Sequence, residues 1–253
     1  MKPKILIFAD VDGTILDDQY NSAEVQPIIN DLISFQTSII LTSSKTKAEI
    51  EFYREKLGIN EPFVVENGSA IIIPKNYFKV KYGYTKQKDE YNIIQLGTEY
   101  TKIREELELI RRKNNASIIG FGDMTNEEVA TDAGLPLDLA ALSKKREYDE
   151  PFKIINGNEE DILRDIENRG LFYTKGGRYF HVLGKTNKGK AISILKQVYL
   201  DEFCKIAAIG IGDSQNDLSM FSEVDVFFLI GKNSLKSVWQ EVLDKAKCFA
   251  SSA

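Results

Sequence analysis

Cysteine is scarce in this chain, with only Cys204 and Cys248 among 253 residues. Two thiols are too few for a disulfide framework, and neither stands in a paired metal-ligand spacing, so both are expected to be packing residues. Histidine is scarcer still. His181, the single one, lies in the alternating run Arg178-Tyr179-Phe180-His181-Val182-Leu183 and reads as a strand residue rather than a catalytic base. No segment approaches the roughly 20 apolar residues of a membrane-spanning helix. After Met1-Lys2-Pro3-Lys4 the sequence enters a strand-like run directly, without the apolar stretch and cleavage site of a leader. The expectation is a soluble cytoplasmic protein, monomer or homodimer. Positive charge is not in excess either: the formal net charge is −5, which excludes a global positive field for gripping nucleic acid or an anionic membrane. A Walker-type phosphate loop, internal repeats and low-complexity tracts are all missing.

What is present is apolar content of 43%, enough for a substantial core. At 253 residues the chain is near the ~250–300 at which single cores stop growing, which favours a core with a smaller inserted unit. Ile5-Leu6-Ile7-Phe8-Ala9 is a continuous apolar run of strand length, as in a parallel strand covered on both faces. Val25, Ile28, Ile29, Leu32 and Ile33 repeat with helical spacing, and Ser22 is placed to cap that helix. Strands follow at Ser38–Leu41 and Phe63–Val65, around a helix from about Thr46 to Leu57 closed by Gly58. The alternation returns late: a helix carrying Ala191, Ile194, Leu195 and Val198, a strand over Ile206–Ile211, a buried strand within Val224–Ile230, and a last helix carrying Leu235, Val238, Trp239, Val242 and Leu243.

This pattern predicts an α/β fold: a doubly wound, mostly parallel, Rossmann-like sheet core with an inserted α+β cap domain. The core is expected to comprise residues 1–80 and 186–253, and the cap residues 81–185. Within the cap the pattern gives a strand at Tyr91–Leu96, a helix from about Glu99 to Lys113, a short strand at Ser117–Ile119, a polar helical zone and a hairpin around Gly176-Gly177.

Chemistry in such sheets lies beyond the carboxyl ends of the strands, where Asp10, Ser43 and Asp213 fall. Asp10-Val11-Asp12-Gly13-Thr14 sets two carboxylates two residues apart at the end of the first strand, a pattern that also suits an Asx turn capping the strand. The segment resembles the nucleophile loop of the haloacid dehalogenase superfamily of phosphotransferases. Gly212-Asp213-Ser214-Gln215-Asn216-Asp217 resembles that superfamily's acidic metal motif. The resemblance implies Asp10 as nucleophile and Asp12 as acid, later base. It implies Mg²⁺ as cofactor, held by Asp10, Asp12 through its carbonyl, and Asp213, with Asp217 in support. Such a hard-oxygen set suits that ion. Ser43 corresponds to the strand-end hydroxyl that contacts the transferring phosphoryl group, with Thr42 and Ser44 as alternatives. Lys188 corresponds to the lysine that neutralises the phosphoryl oxygens, with Lys190 as competitor.

Several stretches, among them Ser43-Ser44-Lys45-Thr46, Glu66-Asn67-Gly68-Ser69 and Arg146-Glu147-Tyr148-Asp149-Glu150-Pro151-Phe152, resemble the mannosyl-3-phosphoglycerate phosphatase family more narrowly. That likeness implies a small phosphorylated substrate. Lys45, Arg146 and Arg178 are candidates for its carboxylate, and Asn67 and Gly68 for a close backbone approach to sugar or phosphate. The alternatives are a lidded phosphatase for another sugar phosphate or phosphoglycolate, a phosphomutase, and a non-catalytic binding module, which should lack an acid or a metal ligand.

Overall fold

The structure, a computed structural model, describes residues 2–251. The chain runs through β1 (Lys4–Ala9), α1 (Gln26–Ser34), β2 (Ser38–Leu41), α2 (Lys47–Leu57), β3 (Phe63–Val65), β4 (Ala70–Pro74), β5 (Lys86–Lys88) and β6 (Tyr91–Gln95). It continues through α3 (Tyr100–Lys113), β7 (Ser117–Gly120), α4 (Asn126–Ala133), α5 (Leu137–Ser143), β8 (Asp149–Asn156), α6 (Glu159–Asn168), β9 (Phe172–Lys175) and β10 (Phe180–Leu183). The return to the core is α7 (Lys188–Phe203), β11 (Ile206–Gly212), α8 (Leu218–Phe221), β12 (Val226–Leu229) and α9 (Leu235–Ser251).

A parallel sheet in the order β12-β11-β1-β2 forms the centre. Because alternate side chains point to opposite faces, β1 feeds two cores at once. Ile5, Ile7 and Ala9 pack with Ile28, Leu32, Trp239 and Val242 of α1 and α9, while Leu6 and Phe8 pack with Ile192, Leu195 and Tyr199 of α7. This is why β1 reads as an unbroken apolar run. α2 starts at a reciprocal capping box between Thr46 and Glu49 and stops at Gly58, whose φ is 72°.

The inserted unit has its own antiparallel sheet, β7-β8-β10-β9. Ile103, Leu107 and Ile110 of α3 and Ile162 and Ile166 of α6 cover one face, against Phe152, Phe180 and Val182. α4 and α5 lie beside Phe121 in a separate small cluster.

The structure corrects four expectations. Ser22 does not cap α1; its carbonyl accepts the amides of Val25 and Gln26, and the helix begins a turn later, where Pro27 in the first turn lacks a donor that would otherwise be unpaired. The strand at Tyr91–Leu96, placed in the insert by a boundary at residue 81, hydrogen-bonds instead to β4 in a β3-β4-β6-β5 sheet, which satisfies β4's open edge. β12 is not fully buried: it is the sheet's edge, and Leu229 is 54% exposed. Cys204 and Cys248 are both exposed, Cys204 at the left-handed end of α7.

Candidate active site

Asp10 leaves β1 with its amide donated to Ile211 of the neighbouring strand. The chain then turns tightly, with the amides of Thr14, Ile15 and Leu16 all directed at the Val11 carbonyl, and Trp239 of α9 donates to the Thr14 carbonyl at 2.8 Å. Gly13 sits at φ 66°, and a Cβ there would fall 2.4 Å from Asp213 Oδ2. The two acidic loops therefore touch at a position that has no room for a side chain.

Asp217 holds the second loop together. Its Oδ2 accepts the amides of Asp213 and Ser214, both at 3.0 Å, and its Oδ1 accepts Lys188 Nζ at 2.6 Å. Lys188 opens α7, behind an Asn187 cap that accepts the Lys190 amide. Its ammonium, 1% exposed, bridges Asp217 and Asp10 Oδ1, the latter at 2.9 Å. Lys190 points to solvent.

Carboxylate oxygens of Asp10, Asp213 and Asp217 lie within 4.8 Å of one another. Burial, reinforced by the Asp217 charge, pushes the Asp10 carboxyl up to about 7 against the pull of Lys188. The same two causes push Asp213 up to about 6. Burial works against the Lys188 charge, but Asp10 and Asp217 raise its pKa well above the ordinary lysine value. Asp10 Oδ1, though ion-paired, and Asp12 Oδ1 are buried without an aligned hydrogen bond. Three crowded carboxylates facing one ammonium, with carboxylate oxygens left undonated, fit a hard divalent cation such as Mg²⁺.

Lys45 is buried and pairs with Asp12 at 2.9 Å and Glu49 at 3.6 Å, so this cation fixes the Asp12 carboxylate. Of the three candidate hydroxyls, Thr42 donates back to Ile40. Ser43 accepts the Lys45 amide at 3.3 Å, and Ser44 lines the cavity.

The side of the site formed by the inserted unit centres on Asp149, which is fully buried. It accepts hydrogen bonds from Arg146 Nη1 at 2.6 Å, Asn67 Nδ2 at 2.9 Å and His181 Nδ1 at 3.0 Å. Despite burial, Arg146 and His181 hold its carboxyl below the usual range. Arg146 also donates to the carbonyls of Ser44 and Ser143. Asn67 in turn accepts from Asn216 of the second acidic loop. Glu66 receives the amides of Glu147, Tyr148 and Asp149; burial, then Asp149, pushes it up to about 8. Arg178 is exposed at the hairpin and donates to the Ala133 carbonyl. Sequence reasoning missed Glu66, Asp149 and His181 as members of this group. Glu66 and Asn67 meet Asp149 across more than 80 residues, and His181 meets it across 32, so these contacts leave no local pattern.

Gly68 makes a close approach within the protein. At φ 87°, its missing Cβ would fall 2.1 Å from the Asn187 carbonyl oxygen, so its backbone abuts the start of α7. Gly68→Ala must therefore shift the backbone that carries Lys188. It should lower Tm by roughly 5–10 °C, from a left-handed alanine costing about 1–3 kcal/mol plus the overlap, and lower kcat about 10-fold or more. Thermal melts and phosphate release measure both, and wild-type values for each would contradict this reading of Gly68.

A cavity of about 640 Å³ opens over Asp10 and Asp12, walled by Lys45 from the core and by Arg146, Arg178 and His181 from the insert. That is ample for a ligand much larger than phosphate.

This arrangement, a parallel-sheet core with acidic loops at its strand ends under an α+β lid, is that of a phosphate-handling hydrolase. The family model described as haloacid dehalogenase-like hydrolase matches residues 7–248, and the chain belongs to that family. It is 42% identical over 236 residues to the glucosyl-3-phosphoglycerate/mannosyl-3-phosphoglycerate phosphatase of Methanococcoides burtonii, covering 90% of this chain and 85% of that one. It is 38% identical over 228 residues to the mannosyl-3-phosphoglycerate phosphatase of Pyrococcus furiosus, covering 89% and 90%. A crystal structure of a Thermoplasma acidophilum protein shares the fold with a TM-score of 0.65 at 19% identity, over 97% of this chain and 99% of that one.

Proposed function

We propose that this protein is a Mg²⁺-dependent phosphatase that hydrolyses glycosylated 3-phosphoglycerate, mannosyl-3-phosphoglycerate foremost, through a phospho-aspartate on Asp10. The observation that carries the proposal is the meeting of Asp10, ion-paired to Lys188, with Asp213 at the floor of a cavity whose upper wall carries two arginines.

In the first step an Asp10 carboxylate oxygen attacks phosphorus, the ester P–O bond breaks, and Asp12 gives the departing alkoxide its proton. In the second, Asp12 takes a proton from water, whose oxygen attacks the phosphorus of phospho-Asp10. Phosphate leaves and the Asp10 carboxylate is restored. Ion pairing with Lys45 orients the Asp12 carboxyl for both proton transfers. Lys188 neutralises phosphoryl oxygens beside Asp10, and Ser43 donates to them. Held by Asp10, the Asp12 carbonyl and Asp213, Mg²⁺ would offset the repulsion between the Asp10 carboxylate and an anionic phosphate. Arg146 and Arg178 would face the substrate carboxylate. The insert is read as the lid that supplies these contacts, with its boundaries at the chain crossings near residues 97 and 184.

The test is phosphate release from mannosyl- and glucosyl-3-phosphoglycerate, 3-phosphoglycerate, phosphoglycolate and glucose 6-phosphate, each with Mg²⁺ and with EDTA. The glycosylated glycerates should lead by about 10-fold or more in kcat/KM, the range a polar site achieves through one unmatched contact, and EDTA should remove the activity. Preference for glucose 6-phosphate would overturn the substrate; activity indifferent to EDTA would overturn the metal.

A further inference from the structure

The insert's sheet has one face packed on its own core and another turned toward the cavity. On β10, Phe180 and Val182 belong to the inner cluster, so His181, between them, faces the other way. Its register partner on β8 is Pro151, which lines the same cavity. His181 is thus the one imidazole of the chain, set in the ceiling of the proposed active site.

Its orientation is fixed. Asp149 Oδ2 is an acceptor, so Nδ1 carries a proton and donates to it at 3.0 Å. Asp149 cannot turn away, since Arg146 and Asn67 hold the same carboxylate. Among the described residues nothing hydrogen-bonds to Nε2. Gly176, at the hairpin tip, stands beside that nitrogen: a Cβ at Gly176 would come within 3.4 Å of it. With Nδ1–H committed, the neutral ring presents a lone pair at Nε2.

Resting on the reading that esters are cleaved at Asp10, we propose that His181, oriented by Asp149, is a specificity-determining residue that reads a hydroxyl group of the substrate's sugar through Nε2. The chemistry selects an alcohol. A hydroxyl donates to the neutral ring and accepts from the protonated one, whereas phosphate or carboxylate satisfies only the protonated ring. The anionic groups already have cations near them in Lys188, Arg146 and Arg178, and Nε2 serves the uncharged part of the molecule.

His181→Asn separates this role from a structural one. The asparagine amide can take over the bond to Asp149 while the Nε2 position is vacated. The readout is the ratio of kcat/KM for mannosyl-3-phosphoglycerate to that for 4-nitrophenyl phosphate, which carries no hydroxyl. The ratio is expected to fall about 10–100-fold. An unchanged ratio, whether from full activity or from equal losses on both esters, would overturn the proposal. A second measurement needs no folded variant: among monodeoxy-mannosyl analogues, wild-type protein should process one about 10-fold worse than the parent. If every analogue matched the parent, the subsite would fall. Should the wild type prefer another hydroxylated ester, the substrate reading fails on its own, and the same ratio is taken with that ester. Preference for an ester without hydroxyls would end both.

Discussion

Asp10→Asn is expected to reduce kcat below about 1% of wild type while the protein stays folded. The amide has the shape of the carboxylate but no anionic oxygen with which to attack phosphorus, and covalent chemistry has no second route through Asp12, which is turned to Lys45. The fold should survive because the change removes a charge that burial and Asp217 already oppose, as the carboxyl's rise to about 7 records. Tm should stay within a few degrees of wild type. Acid quenching during turnover should trap a phosphoryl group on the wild-type chain, located by mass spectrometry at Asp10, and none on the variant. Turnover by the variant above a few per cent would rule out the covalent mechanism.

Lys188→Met should damage both stability and rate. The methionine fills much of the same space, but it leaves Asp10 and Asp217 facing each other without the cation that bridges them at 2.9 and 2.6 Å. Removing one partner of a buried pair costs about 3–5 kcal/mol, which at this chain length lowers Tm by roughly 10 °C or more. Loss of a preorganised charge on the transferring group should cost about 10²–10³ in kcat. The loss should be equal for mannosyl-3-phosphoglycerate and 4-nitrophenyl phosphate, since both present the same phosphoryl group. Adding Asp217→Asn should restore part of the melting temperature and none of the rate. A loss confined to the larger substrate would place Lys188 against the leaving group instead.

Local pattern carried much of this architecture. β2 and β3 could be bounded to the residue because each is a short apolar run ended by a polar turn, and the end of α2 was written in Gly58. The residues around Asp10 stood out through their resemblance to a known nucleophile loop, not through any periodicity. What escaped depends on partners distant in sequence. That Gly68 faces Asn187, that Asp149 gathers Asn67 and His181, and that β6 completes β4's sheet are facts about assembled surfaces. Nothing in the periodicity of either segment encodes them. The exposed cysteines make the same point in reverse, since residue type gives a tendency to burial and the fold decides the instance.

The grip of Glu66 on three successive amides of residues 147–149 has a mechanical consequence. It pins the insert to the core at a third place, apart from the two strands of chain that connect them. A lid tethered only at its crossings can lift away as a whole. One clasped in its interior turns about the clasp, because releasing it would strand a buried carboxyl and three amide donors at once. Glu66 is then a fulcrum. Rotation of the insert about that point would shift the Gly176-Gly177 tip, which lines the cavity, relative to Asp10.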